Sequence, residues 1–314
     1  METITMKKLK IGHVDLDTSH PQSWISIIRE LGHDIVGVFD GGTVYPQGYS
    51  QEFAQKNSIP KAFDSIDEMA EAVDLAIIHS CNWNLHIQRA EPFIKAGKSV
   101  LIDKPIVGNL RDAMKLKEWS AQGARISGGS SLRFAYEIGE LLSKPIEERG
   151  NIHTIFAGCA VDEFNYGIHA YSLLSGIGGS GIESVQFLGS GVQKMIQISW
   201  KDGKKGILSV GKQSGYLPFY ATVVTDSKVH HMVIDSSKVY KALLEAVLPY
   251  LCGEVDSPPI PLSDLLEPEL TAIASRMSWM NNGKRIFLSD LRIDDNGYDG
   301  QAFGEEYRIA KIGK

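Results

Sequence analysis

Short apolar runs alternate with amphipathic stretches along the first third of the chain. The run "KIGHV" (10–14) has the length of a buried strand, and behind it Trp24, Ile27, Ile28 and Leu31 fall at i, i+3, i+4 and i+7, one face of a helix. "DIVGVFD" (34–40) predicts a second strand ending on an acid, and "GYSQEFAQKNSIP" a helix that Pro60 stops. "DSIDEMAEAV" reads as a short helix capped by Asp64. "DLAIIHS" (74–80) and "SVLIDKP" (99–105) predict two further buried strands, and "NLHIQRAEPFIKAG" and "NLRDAMKLKEWSAQG" predict helices closed by Gly97 and Gly123. Strands joined by single helices pair in parallel, so this region predicts an α/β, doubly wound parallel sheet whose ligands bind beyond the carboxyl ends of the strands.

From about Arg125 the pattern changes. "GNIHTIFAGCAV", "GIESVQFLG", "KMIQISWKDG", "KKGILSVGKQ", "PFYATVVTD" and "KVHHMVID" are short, β-branched or alternating, and separated by glycines and charged turns. Successive strands without intervening helices predict a C-terminal α+β domain with a mostly antiparallel sheet. Two helices are set into it, "FAYEIGELLSKPIEER" and "NYGIHAYSLLSG", and two more close it before a short tail. The expected domains are 1–124 and 125–314, a division that the length of 314 residues suits.

Composition narrows the function classes. A formal charge of −6, with no long Lys/Arg run, argues against nucleic acid or an anionic membrane as partner. The basic opening "MKKLK" leads into a strand and not into an apolar signal segment, and no stretch is apolar enough to cross a bilayer. Cys81, Cys159 and Cys252 are odd in number, far apart and outside metal-ligand spacing, which suits the cytoplasm.

The chemistry concentrates between the first strand and the first helix. A dinucleotide-binding turn carries glycines there, so that backbone N–H groups reach the diphosphate at a helix N-terminus. After Gly12 this chain carries Asp15, Asp17, Thr18, Ser19 and His20 instead. A carboxylate ~5 Å from a phosphate charge costs roughly 3 kcal/mol at an effective dielectric near 20. Three readings stand side by side. Asp17, Thr18 or Ser19 caps the helix, with Pro21 in its first turn. Alternatively a dinucleotide binds in a shifted pose with His20 beside its phosphates. In the third, the pocket holds a polyol on Asp15 and Asp17, or Mn²⁺ or Zn²⁺ on Asp15, Asp17 and His20. Asp40, at the end of the second strand, is placed either as a turn residue or to accept ribose hydroxyls, which selects NAD over NADP. His79 and His86 flank "SCNWNL", where Trp83 reads as core or as a stacking surface; His230 and His231, adjacent on a strand, face opposite ways.

Four stretches, in order, resemble the glucose–fructose oxidoreductase / inositol 2-dehydrogenase / MocA family: "NLHIQRAEPFIKAGKSVLIDKPIVGNLRDAMKL", "SLRFAYEIGELL", "YGIHAYSLLSGIGG" and "YLCGEVDSPPIPLSDLLEPELTAIASRMSWMNNGKRIFL". The resemblance implies a Rossmann-type domain joined to an α+β domain, and hydride transfer between NAD(P) and a sugar, polyol or related small molecule. It implies a homodimer or homotetramer and no metal. Asp103-Lys104-Pro105 matches the family's Glu-Lys-Pro, with Pro105 a candidate for a cis bond. Lys104 and His169 match the catalytic pair, the lysine to hold the substrate hydroxyl and the histidine as acid/base. Their bland counterparts are a solvated strand end and a core histidine. Gly12, Asp15, Asp17, Thr18, Ser19, His20, Asp40 and Asp103 line the implied coenzyme site, and Arg133 and Asn165 the substrate site, with a domain-interface role open for Arg133. Asn165 and Ser172 stand where the family often has Asp on either side of its histidine. The alternative reading is a non-redox member that binds a carbohydrate or other small ligand without a dinucleotide.

Overall fold

The computed structural model describes residues 8–215 and 217–313, so Met6 and Lys7 of the basic opening lie outside it. The first sheet contains β1 (Lys10–Val14), β2 (Asp34–Phe39), β3 (Lys61–Ala62), β4 (Leu75–Ile78), β5 (Ser99–Ile102) and β6 (Ile126–Gly128), all parallel, in the order β3-β2-β1-β4-β5-β6. Its crossovers run through α1 (His20–Glu30), α2 (Tyr49–Lys56), α3 (Ile66–Ala72), α4 (His86–Lys95) and α5 (Leu110–Ala121). Every residue of β4 and β5 is buried, as expected of strands covered on both faces. The strand order reverses between β1 and β4, which places the crevice beyond their carboxyl ends. The sheet continues to Gly128, past residue 124, and Ser65 rather than Asp64 caps α3, its side chain accepting from Glu68 N.

The second half begins with α6 (Tyr136–Ser143) and α7 (Ile146–Arg149) and then builds a seven-stranded sheet. Its strands are β7 (Ile152–Gly158), β8 (Ile182–Ser190), β9 (Lys194–Trp200), β10 (Lys205–Val210), β11 (Tyr220–Thr225), β12 (Val229–Val233) and β13 (Ile286–Phe287). The order is β12-β11-β7-β10-β9-β8-β13; only β7 and β10 pair in parallel. One face carries α8 (Gly167–Gly178) and α11 (Glu267–Met280), preceded by the short α10 (Leu262–Leu265). Nearly all of α8 is buried, the mark of a helix enclosed on every side rather than lying on a surface. The other face leaves Phe156, Leu188, Met195, Val229 and Val233 exposed.

Two elements of the second half return to the first. Helix α9 (Val239–Leu251) sets Leu243, Leu244, Val247 and Leu248 into the core formed by Leu9, Ile11, Trp24, Ile28 and Leu101. The expected short tail instead ends in a helix, α12 (Gly300–Ile312), capped by Asp299 accepting from Gln301 N and Ala302 N. Trp83 Nε1 donates to Tyr298 O at 2.8 Å just before it, and Gly304 lies against Asn82 and Thr43. The helix therefore bridges the loop after β2 and the loop after β4.

Because α9 supplies part of the first sheet's cover, Leu244→Ala is expected to destabilise the whole chain by about 2–5 kcal/mol. Urea unfolding followed by tryptophan fluorescence and far-UV circular dichroism checks this. Separate transitions, with only one shifted, would contradict the shared core.

Candidate functional site

The chain leaves β1 through Asp15, whose φ of +59° is a conformation that aspartate tolerates better than most non-glycine residues. Its Oδ1 accepts from Gly41 N at 2.8 Å; its Oδ2 accepts from Arg89 Nε at 3.0 Å and from Ser80 Oγ. Asp17 Oδ2 accepts from Cys81 N at 2.8 Å, and its Oδ1 is buried without a partner. Both aspartates are fully buried. Asp40 accepts from Gly42 N at 2.7 Å and from Leu16 N at 3.3 Å. The carboxylates thus staple the turn to the ends of β2 and β4. They do not cap α1: Ser19, at the cap position, is helical in φ/ψ with no side-chain bond, and Thr18 Oγ1 accepts from His20 N at 3.2 Å. Gly12 lies within β1, where an added Cβ would meet Met69 Cε at 2.1 Å, so it serves the approach of α3.

Beside the turn runs a line of imidazoles. Asp103 Oδ2 accepts from His20 Nδ1 at 2.6 Å and from His79 Nδ1 at 3.0 Å, and Oδ1 accepts from Lys104 N at 2.7 Å. With its Nδ1 proton committed, His79 presents a lone pair at Nε2, and His13 Nδ1 donates to it at 2.7 Å. Burial pushes the pKa of His79 down, and burial together with His79 pushes His13 well down. Burial acts to raise the Asp103 carboxyl, but the two imidazoles outweigh it and hold it well below the usual range.

Lys104 follows through a cis peptide bond to Pro105. Its Nζ donates to Asn165 O at 3.0 Å and Asn165 Oδ1 at 3.2 Å, so the half-buried lysine is committed to a partner and is not simply a solvated strand end. Burial lowers its pKa, against the pull of Asp103. His169, on the first turn of α8, shares a 2.7 Å hydrogen bond between Nδ1 and Ser130 Oγ, which leaves Nε2 for other chemistry. Burial, then the charges of Lys104 and His20, press its pKa well down and keep the ring neutral. Arg133 is buried on Ser175 Oγ at the foot of α8. Glu269, entirely buried, accepts from Ile106 N at 3.1 Å, and burial raises its pKa to about 7.

The residues named from sequence therefore fall into two groups. Asp15, Asp17 and Asp40 form the staple; His20, Asp103, Lys104, Asn165 and His169 meet where the two halves join. Arg133 sits behind α8. The sequence reading missed Arg89, Ser80, Ser130 and His13 as partners, and placed no role on the tail helix. None of these has a local motif, because each pairing spans distant segments.

Against a dinucleotide, the fit is uneven. Asp40 lines a cavity of about 140 Å³ with Phe39, Tyr49 and Phe63 beyond the end of β2, small for a whole adenosine. Lys104 and His169 suit the reacting end. The middle does not fit: the N–H groups of Asp15, Leu16 and His20 already bond to Phe39 O, Asp40 and Thr18, and α12 bridges the flanking loops overhead.

Residues 19–127 match the model of an oxidoreductase family with an NAD-binding Rossmann fold, named GFO/IDH/MocA. A segment of 69 residues is 36% identical to trans-1,2-dihydrobenzene-1,2-diol dehydrogenase of Danio rerio, covering 22% of this chain and 21% of that protein's length. The fold is similar to a probable dehydrogenase of Thermotoga maritima (TM-score 0.77, 16% identity, 90% of this chain and 100% of that one). It is also similar to scyllo-inositol dehydrogenase of Lactobacillus casei, solved with NAD(H) and scyllo-inositol (TM-score 0.74, 16% identity, the same coverages).

Asp17 makes the turn pH-sensitive. Burial, then the charge of Asp15, raises its pKa from 3.8 to about 7. A carboxyl raised in the fold stabilises it fully below the unfolded value and loses that contribution as pH climbs to about 7. The depressed histidines act in the opposite sense, so a difference is the clean measure. Asp17→Asn is expected to gain on wild type as pH rises from about 4 to about 7, by on the order of a few kcal/mol in urea unfolding. A gap independent of pH would mean that Asp17 does not titrate in this range.

Proposed function

We propose, from the premise that the chain belongs to the GFO/IDH/MocA family of NAD-binding Rossmann-fold oxidoreductases, that it interconverts a hydroxyl and a carbonyl on a sugar, polyol or related small molecule. The observation that carries this reading is the junction of Lys104, Asn165 and His169. Lys104 Nζ spends two donors on Asn165, and its third is free to hold a substrate oxygen. Asn165 positions the lysine through both its carbonyl oxygens, and its side-chain amide remains for a neighbouring hydroxyl. Ser130 fixes the His169 ring, whose Nε2, neutral at physiological pH, takes the hydroxyl proton and returns it in the reverse direction. NAD, when bound, supplies the hydride acceptor; the Asp40 carboxylate disfavours the extra phosphate of NADP.

A second reading is favoured by the closed middle of the crevice. In it the same junction binds a carbohydrate with no dinucleotide. We further propose that the exposed apolar face of the second sheet joins two copies of the chain, and that the protein works in the cytoplasm, as its three buried free cysteines suit. No described helix is long and apolar enough to cross a membrane.

A fluorescence titration with NADH and NADPH separates the two readings. Saturable binding, tighter for NADH, supports the oxidoreductase; no binding at millimolar coenzyme, with calorimetric binding of a polyol, establishes the non-redox reading. Where turnover is found in a polyol panel, Lys104→Ala and His169→Ala are expected to lower kcat by about 10²–10⁴-fold, and losses under tenfold would remove them from the chemistry. Sedimentation should show a dimer that Phe156→Glu with Met195→Glu converts to monomer; an unchanged mass in the double variant excludes this face.

A further inference from the structure

We propose that His20, His79 and Asp103 form a binding site for one divalent transition-metal ion at the carboxyl edge of the first sheet. One ligand atom from each residue lies within 4.8 Å of the other two, and Asp103 Oδ2 faces His20 Nδ1 and His79 Nδ1 directly. They come from three separate segments: the start of α1 and the ends of β4 and β5, brought together by the order β1-β4-β5. An ion about 2.1 Å from each donor needs donor separations of about 3.4 Å. The carboxylate oxygen stands at 2.6 and 3.0 Å from the two nitrogens, closer than that spacing, so an ion enters by parting the carboxylate from the rings while the two nitrogens converge on it. Two imidazoles and a carboxylate suit Zn²⁺, Fe²⁺ or Mn²⁺ and leave coordination positions for water or a substrate hydroxyl.

Two further observations favour a cation at this point. Among the described residues no Lys or Arg side chain bonds the buried Asp103 carboxylate, whose side-chain partners are the two imidazoles, while the adjacent Lys104 turns its Nζ to Asn165. Its counter-charge therefore comes from the imidazoles or from an ion held between them and the carboxylate. The rings are also held from behind, as ligand histidines usually are. On ion binding the His79 proton moves from Nδ1 to Nε2, which lies 2.7 Å from His13 Nδ1 and then donates to it; His20 stacks on Trp24 with ring centroids 5.7 Å apart and packs edge-to-face with Tyr240. His20, with a side chain 12% exposed, is the member that opens the cluster to the outside. This differs from the metal set considered from sequence: Asp15 and Asp17 turn to Gly41 and Cys81 instead.

The test needs neither coenzyme nor substrate, so its outcome is independent of the oxidoreductase reading. The full chain, stripped with chelator, is titrated with Zn²⁺ by calorimetry and with Co²⁺ by visible absorption. Expected are one ion per chain and a Kd raised at least ~100-fold in His20→Ala and Asp103→Asn, with no change in His231→Gln, an exposed control. Should a variant fail to fold, quenching of Trp24 by Co²⁺ in wild type, reversed by Zn²⁺, carries the test. Absence of stoichiometric binding by wild type, or binding that survives His20→Ala, overturns the proposal and leaves a hydrogen-bonded cluster only.

Discussion

The Asp15 carboxylate, shared among Arg89, Ser80 and Gly41, joins three strand ends at the point where the first sheet reverses its order. It is buried, so its charge is tolerable only because these donors surround it; a buried carboxylate stripped of its guanidinium costs roughly 3–5 kcal/mol. Arg89 is in turn held over the Phe39 ring, with the guanidinium 5.3 Å from its centroid. The shape of the turn follows from this one contact. So does the start of α1, and with it the place of His20 beside Asp103. A glycine-lined turn would be open to a ligand from outside; here the same space is closed from within by side chains of the protein.

The second half of the chain depends on that closure as much as the first. Helix α9 completes one face of the sheet, and α12 spans the loops after β2 and β4. Phe164 stacks on Tyr298 at 3.8 Å, and Trp83 packs edge-on to Phe164 at 5.0 Å, so the segment before α12 is anchored to both halves. The crevice and the junction holding Lys104 and His169 are therefore parts of one solid. A change at the turn reaches the junction through Asp103, which touches His20, His79 and the backbone of Lys104.

What was legible in the sequence was periodic. Buried strands such as "DLAIIHS" and the i, i+3, i+4, i+7 face from Trp24 to Leu31 carry their structure locally, and they predict the parallel sheet. The antiparallel second sheet follows from alternation with glycine breaks, apart from the one parallel pair of β7 with β10. Lys104 and His169 enter as candidates through resemblance, which orders segments but gives no partners. The roles of Asp15 and Asp17 were not legible. From sequence their charges read as facing a ligand or a helix end, whereas both turn inward to amides of Gly41 and Cys81. Arg89 could not be predicted as the counter-ion because it lies 74 positions from Asp15, and helical periodicity says only which face it occupies.

The distribution of charge at the junction differs from that of a simple structural ion pair. Asp103, buried, and Lys104, half-buried, are consecutive and opposite in sign, and pairing their side chains would be one way to offset both charges. Instead the carboxylate is given to two imidazoles and the ammonium to the carbonyl oxygens of Asn165, neither of which carries a charge. Each group then has a neutral or titratable partner and a shifted pKa, the lysine lowered by burial and the carboxyl held down by its histidines despite burial. His169, placed among them and kept neutral, can accept a proton without first losing one. Groups whose environments push their proton affinities apart within one chamber are what acid–base chemistry at neutral pH requires.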